Sequence, residues 1–163
     1  MRVTDTHVYF WGSFLSNFYY APFKVILNDE EMTFLTSEHY YMYMKARRFN
    51  DEESAHNILA APEAKIAKAF GRGVKNFDSD IWDEVAVGVM TKACTHKFTQ
   101  NIIIRERLIE TGDRILVEAS PVDFIWGVGL HESDDRILDE NNWKGLNRLG
   151  SVLMNVRDKM KEL

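Results

Sequence analysis

Glu38 and Lys45 stand seven residues apart in the stretch TSEHYYMYMKA, residues 36–46, alongside His39 and three tyrosines. On a helix, seven residues make nearly two turns. Both groups then share a face, roughly 10 Å apart along the axis. Helical side chains lean toward the N-terminus, so Lys45 points back toward Glu38. A carboxyl group can move a proton and a neutral amine can attack an electrophilic carbon, so the pair can serve one small ligand from two sides. The same spacing also suits ordinary helix chemistry, with an acid in the first turn and a cation further along. Spacing alone does not separate the two readings.

Four further segments carry residues that chemistry uses. In WGSFLSNFYYAPF, residues 11–23, Asn17 offers donors and an acceptor and Phe18 a ring face. An aromatic loop closing the core is the competing reading. In AKAFGRGVKNF, Arg72 lies between two glycines, suited to a bidentate grip on phosphate with close backbone approach. A glycine-capped helix end with a solvated arginine fits as well, and the spacing is not that of a P-loop. In EASPVDFIWGVGL, a strand end leads into a loop with Asp123, a candidate acid, base or ribose-hydroxyl acceptor, and Trp126, a candidate stacking wall. A capping Asp and a core Trp are the alternative. In NNWKGLNRLGSVLMNVR, Asn147 either bonds a ligand or caps a helix. His39, His96 and His131 share no spacing, and residues 131–142 read as a solvated, charge-rich loop.

The elements that must position these groups follow from pattern. VYF, residues 8–10, reads as a short strand, and FKVILNDEEMTF as a hairpin turning at Asn28-Asp29-Glu30. Thr36 or Ser37 caps the helix that carries Glu38. Pro62 and Gly71 bracket a second helix, and Ser79 or Asp80 caps a long third one whose apolar positions include Ile81, Val85, Val89 and Cys94. NIIIRERLIETG is a further helix stopped at Gly112, followed by the strand RILVEAS. A last helix from about Asn147 buries Leu149, Val152, Leu153, Val156 and Met160. The expected fold is α+β: a helix-rich single domain, residues 1–163, with a small N-terminal β-hairpin and one late strand.

Composition narrows the function classes. Of the residues, 45% are hydrophobic, enough for a sizeable core. The net charge of -5 gives no global field for nucleic acid, although a local basic cleft formed by Arg47, Arg48, Arg72 and Lys75 remains open. Cys94 is the single cysteine, so no internal disulfide framework or zinc motif is expected. With no apolar leader and no run of 18 apolar residues, the expectation is a cytoplasmic protein without membrane contact. No metal or cofactor is expected, and oligomeric state is left open.

Taken in order, FLSNFY, TSEHYYMYMKA, FGRGV, MTKACTHKFTQN, LVEASPVDFIWGVGL and WKGLNRLGSVLMNVR resemble the NADAR family of YbiA-like N-glycosidases over about residues 9–157. The resemblance implies cleavage of a C1–nitrogen bond in a ribose-containing nucleotide. The substrate is either ADP-ribose on guanine, free or in nucleic acid, or a phosphoribosylamino-pyrimidine intermediate of riboflavin synthesis. It places the family's key acid and lysine on Glu38 and Lys45, its loop acid and tryptophan on Asp123 and Trp126, and its asparagines on Asn17 and Asn147. With these go Lys45 as a Schiff-base nucleophile buried by Tyr41 and Met42 beside Arg47 or Arg48, Tyr41 and Phe18 as substrate contacts, and Arg72 as phosphate clamp. One departure stands out. Many relatives read HYFQAQKF after the glutamate, whereas this chain reads HYYMYMKA, placing Met42 and Met44 where amides stand. A non-catalytic module binding ADP-ribose or another nucleotide is the alternative, and the intact Glu38 and Lys45 speak for an enzyme.

Overall fold

A computed structural model describes all 163 residues, Met1–Leu163. In chain order the elements are β1 (Arg2–Val3), β2 (His7–Phe10), β3 (Phe23–Leu27), β4 (Glu30–Phe34), α1 (Ser37–Arg48), α2 (Glu52–Ala60), α3 (Ala64–Arg72), α4 (Ser79–Gln100), α5 (Ile102–Glu110), β5 (Ile115–Glu118) and α6 (Arg148–Lys161). The architecture is helix-rich α+β, as expected, and no helix is long and apolar enough to cross a membrane. The chain forms two compact units: a terminal one of Met1–Ser16 and Ile102–Leu163, and a central one of Asn17–Asn101.

In the terminal unit, β2 lies between β1, antiparallel, and β5, parallel, with His7 opposite Ile115 and Phe10 opposite Glu118. Alternation along β2 and β5 feeds Tyr9, Val117 and Ala119 into a core with Val128, Leu130 and Ile137. On α6, Leu149, Val152, Leu153, Val156 and Met160 are buried, as their spacing predicts. Arg157 is buried too, and its Nη1 donates to Thr111 Oγ1 and Arg114 O, closing the turn before β5. The region expected to be irregular contains two short 3-10 turns, Asp135–Leu138 and Glu140–Asn142.

In the central unit, β3 and β4 form the expected hairpin. The turn is tighter than predicted, however: Leu27 pairs with Glu30, and Asn28 and Asp29 both adopt positive φ. Two left-handed residues give the twist that closes a two-residue loop. The aromatic run of α1 is divided among neighbours. Tyr40 and Tyr43 pack on Phe34 with ring centroids 5.2 and 5.3 Å apart, and Tyr41 packs on Trp82 at 5.2 Å.

Three boundaries differ from expectation. Helix α2 was not expected: Asp51 caps it through Ser54 N–H and also accepts from Lys75 N–H, and these bonds hold its carboxyl at about 2. Helix α3 starts after Glu63 rather than at Pro62 and runs through Gly71 to Arg72, with Gly73 as its C-cap. Gly71 is needed for packing rather than termination, because a Cβ there would meet Met42 Sδ at 2.2 Å. Helix α4 is capped by Asp78 and turns Trp82, Ala86, Met90, Ala93, Cys94, Lys97 and Phe98 inward, which leaves Ile81 exposed.

His39 gives the fold a pH dependence. Its Nε2 faces Ala61 O at 2.9 Å and its Nδ1 faces Thr36 Oγ1 at 2.7 Å, both buried. A carbonyl only accepts, so Nε2 carries the proton and Nδ1 accepts from the Thr36 hydroxyl. Burial, opposed by the Ala61 bond, lowers its pKa from 6.5. The neutral form is favoured in the fold. Its stabilisation is therefore complete above about pH 6.5 and declines as the unfolded chain takes up the proton below that. Urea unfolding is expected to show stability falling between pH 7 and 5 by up to about 1.4 kcal/mol per pH unit from this group. A flat profile over that range contradicts this description of His39.

Candidate active site

Three contacts fix the start of α1. The Thr36 hydroxyl accepts from His39 N–H as N-cap. Ser37 Oγ donates to Asn17 Oδ1 at 2.9 Å, and Glu38 N–H donates to Asn17 O at 3.1 Å. Glu38, only 6% exposed, thus sits in a first turn where backbone N–H groups and the helix dipole favour negative charge. Asn17 is buried and also meets Cys94 Sγ at 4.0 Å, so it braces α1 against α4. Its side-chain oxygen, expected at a ligand, is engaged by Ser37.

Lys45 is half-buried, with Nζ 4.3 Å from the centroid of the Phe77 ring. Burial lowers its pKa from 10.5; Glu38 opposes that shift and Arg72 adds to it. The net direction favours the neutral amine that a nucleophile needs. The surroundings differ from those expected. Arg72, not Arg47 or Arg48, is the cation felt at Lys45, and Arg47 is paired with Glu52. The Phe77 ring lies beneath the Lys45 ammonium group. Tyr41 is buried, with its hydroxyl accepting from Trp82 Nε1 at 2.9 Å, which ties α1 to α4. Met42 packs on Gly71, and Met44 lines a cavity on another side of α1, so the two methionines face different neighbours.

Phe18 is 43% exposed and carries Lys68 Nζ 5.5 Å above its ring. Arg72 is the exposed last residue of α3. Among the central unit's candidates, Glu38, Lys45 and Arg72 are therefore linked electrostatically.

The terminal unit holds Asp123, Trp126 and Asn147. Asp123 Oδ1 accepts from the N–H groups of Ile125 and Trp126, at 2.9 and 2.8 Å, while its own N–H reaches Ser120 Oγ. This turn sets the direction in which Trp126, half-buried, leaves the backbone. The loop is held further by its carbonyls: Phe124 O, Ile125 O, Trp126 O and Gly127 O accept from Leu146, Arg148, Leu149 and Asn147. Asn147 departs from its expected binding role. It is 5% exposed, and its amide donates to Leu116 O and accepts from Glu118 N–H, stitching α6 to β5. Its φ of 52° suits asparagine, and it neither caps α6 with its side chain nor faces solvent.

Two residues escaped the sequence reading. Phe77 is quoted in AKAFGRGVKNF but has no periodic reason to meet Lys45. Lys97 is fully buried beside the Tyr19 and Phe98 rings, 5.8 and 5.0 Å from their centroids. The inward face of α4, assigned one residue out of register, would have shown it.

A buried acid and a half-buried amine stand on one helix face in a helix-rich α+β chain, an arrangement capable of nucleophilic and proton-transfer chemistry. Comparison with known proteins gives the family. The NADAR domain model matches residues 9–161, and the chain belongs to that family. It is 36% identical to N-glycosidase R617 of Acanthamoeba polyphaga mimivirus, over 98% of this chain and 99% of that one. It is 30% identical to the riboflavin biosynthesis protein VVA0006 of Vibrio vulnificus, over 99% of this chain and 40% of that one. The NMR structure of the E. coli protein YbiA superposes with a TM-score of 0.75 at 30% identity, covering 99% of this chain and 88% of that one.

Proposed function

We propose that this protein is an N-glycosidase that hydrolyses the C1–N bond of a ribose-containing nucleotide through a Lys45 Schiff base. The observation that carries the reading is Lys45 itself: half-buried over the Phe77 ring, displaced toward the neutral amine, and within the field of the buried Glu38. The name of the mimivirus relative supports the reaction class.

In the proposed sequence, Nζ of neutral Lys45 adds to C1. The C1–N bond breaks with its electron pair going to the base nitrogen, which takes a proton from Glu38. The ribose C1–O bond then breaks, its electron pair and a proton from Nζ going to the ring oxygen, and a protonated imine is left between C1 and Nζ. Water adds to that carbon and returns a proton to Glu38, Lys45 leaves as the amine, and the sugar closes again. The family resemblance assigns Asp123 to a ribose hydroxyl and Trp126 to the base; in the central unit, Phe18 is assigned to the base and Arg72 to the phosphate. Lys45 reacts only while uncharged, so the lowered pKa is a working part of the cycle.

Two substrate types fit this chemistry. The name of the Vibrio protein favours phosphoribosylamino-pyrimidine intermediates. ADP-ribose on guanine fits the family resemblance, with an exposed Arg72 for its phosphates. Mass spectrometry of products from ADP-ribosyl-guanosine, a phosphoribosylaminouracil, NAD and plain nucleotides distinguishes them. Release of a free base from one of these, absent in Lys45→Ala, is expected. Thermal stabilisation by ADP-ribose with no base released from any compound would identify a binding module instead.

A further inference from the structure

A groove of about 1000 Å³ in the central unit lies mainly off the Glu38–Lys45 face. Of the α1 residues that line it, Tyr43 and Arg47 sit about 160° around the helix from Lys45, Met44 about 100° and Arg48 about 60°. It is an open groove along α4, floored by Met32, Met44, Val85 and Val89.

The outward face of α4 has an unusual composition. Ile81, Glu84, Val85, Gly88 and Lys92 follow the i, i+3, i+4, i+7 spacing of one helix stripe, opposite the buried Trp82, Ala86 and Met90. Ile81 and the neighbouring Val87 are 38% and 42% exposed. Only two charges interrupt this stripe, Glu84 and Lys92, and neither has an ion-pair partner within the chain. Each stands four residues from Gly88, one on either side. Gly88 itself lies inside a 22-residue helix, where glycine weakens the helix relative to alanine. A Cβ at that point would meet nothing within 4 Å, so packing within the chain gives no reason for it.

We propose that this face joins two copies of the chain, α4 against α4, antiparallel about a two-fold axis at Gly88. A two-fold contact must be self-complementary, and this stripe is. Glu84 faces Lys92 of the partner subunit, and Lys92 faces Glu84 of the partner subunit. Glycine at the crossing point lets the axes approach to about 8 Å, the close end of helix packing. The apolar positions supply the attraction. The two charge pairs, exposed and individually weak, fix register and direction and disfavour parallel or shifted pairings. This proposal is independent of the N-glycosidase reading, since it involves no residue of the Glu38–Lys45 face.

Sedimentation velocity on the full chain tests it, with circular dichroism confirming that each variant is folded. Wild type is expected to sediment as a dimer at micromolar concentration. Glu84→Lys and Lys92→Glu each place like charges opposite one another twice, and each is expected to weaken dimerisation at least tenfold. The double variant Glu84→Lys/Lys92→Glu restores both pairs with reversed sign and is expected to recover the dimer. A monomeric wild type, a dimer indifferent to either single change, or a double variant that stays monomeric would each overturn the proposal. The first of these would leave the groove to some other occupant.

Discussion

Lys45→Ala is expected to abolish base release by roughly 10³-fold or more and to remove every borohydride-trappable adduct. The reason lies in competing influences on one ammonium group. Burial pushes Lys45 toward the neutral form, Arg72 adds to that, and Glu38 pulls the other way. A residue placed only to hold charge would be poorly served by this balance; a nucleophile is well served. Lys45→Arg is expected to fail equally, because arginine keeps the charge but offers no usable lone pair. The pH profile carries the sign. The neutral fraction of Lys45 grows with pH while the protonated fraction of Glu38 falls, so wild-type turnover should follow a bell-shaped pH profile whose alkaline limb lies below 10.5, the ordinary lysine value. Undiminished turnover in Lys45→Ala contradicts the mechanism.

Glu38→Gln is expected to lower turnover by ~10²–10⁴-fold, the usual scale for losing a positioned acid or base. Glutamine keeps the shape and hydrogen-bonding capacity of the side chain, and the first turn of α1 remains tied to Asn17 through the Glu38 backbone N–H. A folding defect would therefore not account for the loss. A second readout isolates the role. If Glu38 protonates the departing nitrogen, the loss should shrink for substrates whose base leaves readily without a proton. A reduction below tenfold, equal for all leaving groups, would mean that Glu38 serves the helix terminus and not the reaction.

Local chemistry was legible in the sequence. Thr36 as cap, the Asn28-Asp29 turn and the buried stripe of α6 all depend on neighbours a few residues away. What failed depends on partners elsewhere in the chain. Helix α2 begins with Asp51-Glu52-Glu53-Ser54, which reads as a polar loop until Lys75 N–H is seen to complete the Asp51 cap. The parallel pairing of β2 with β5 crosses the whole central unit, a connection no local pattern announces. Among the candidate site residues, spacing put Glu38 and Lys45 on one helix face, and the family resemblance gave them roles. Asn17, Tyr41 and Asn147 carry polar groups whose use cannot be read from residue type. Ser37, Trp82 and the β5 backbone claim them as braces. Phe77 was overlooked for the same reason: its closeness to Lys45 is a property of the fold, not of the motif.

The central claim is a covalent bond between Lys45 and the sugar. Borohydride added during turnover of whichever riboside is cleaved, followed by intact-mass and peptide analysis, tests it most directly. The account predicts one reduced sugar adduct per chain, located on Lys45, its mass that of the opened sugar with its phosphates but without the base. Turnover with no adduct, or an adduct on another lysine such as Lys68 or Lys97, would contradict it.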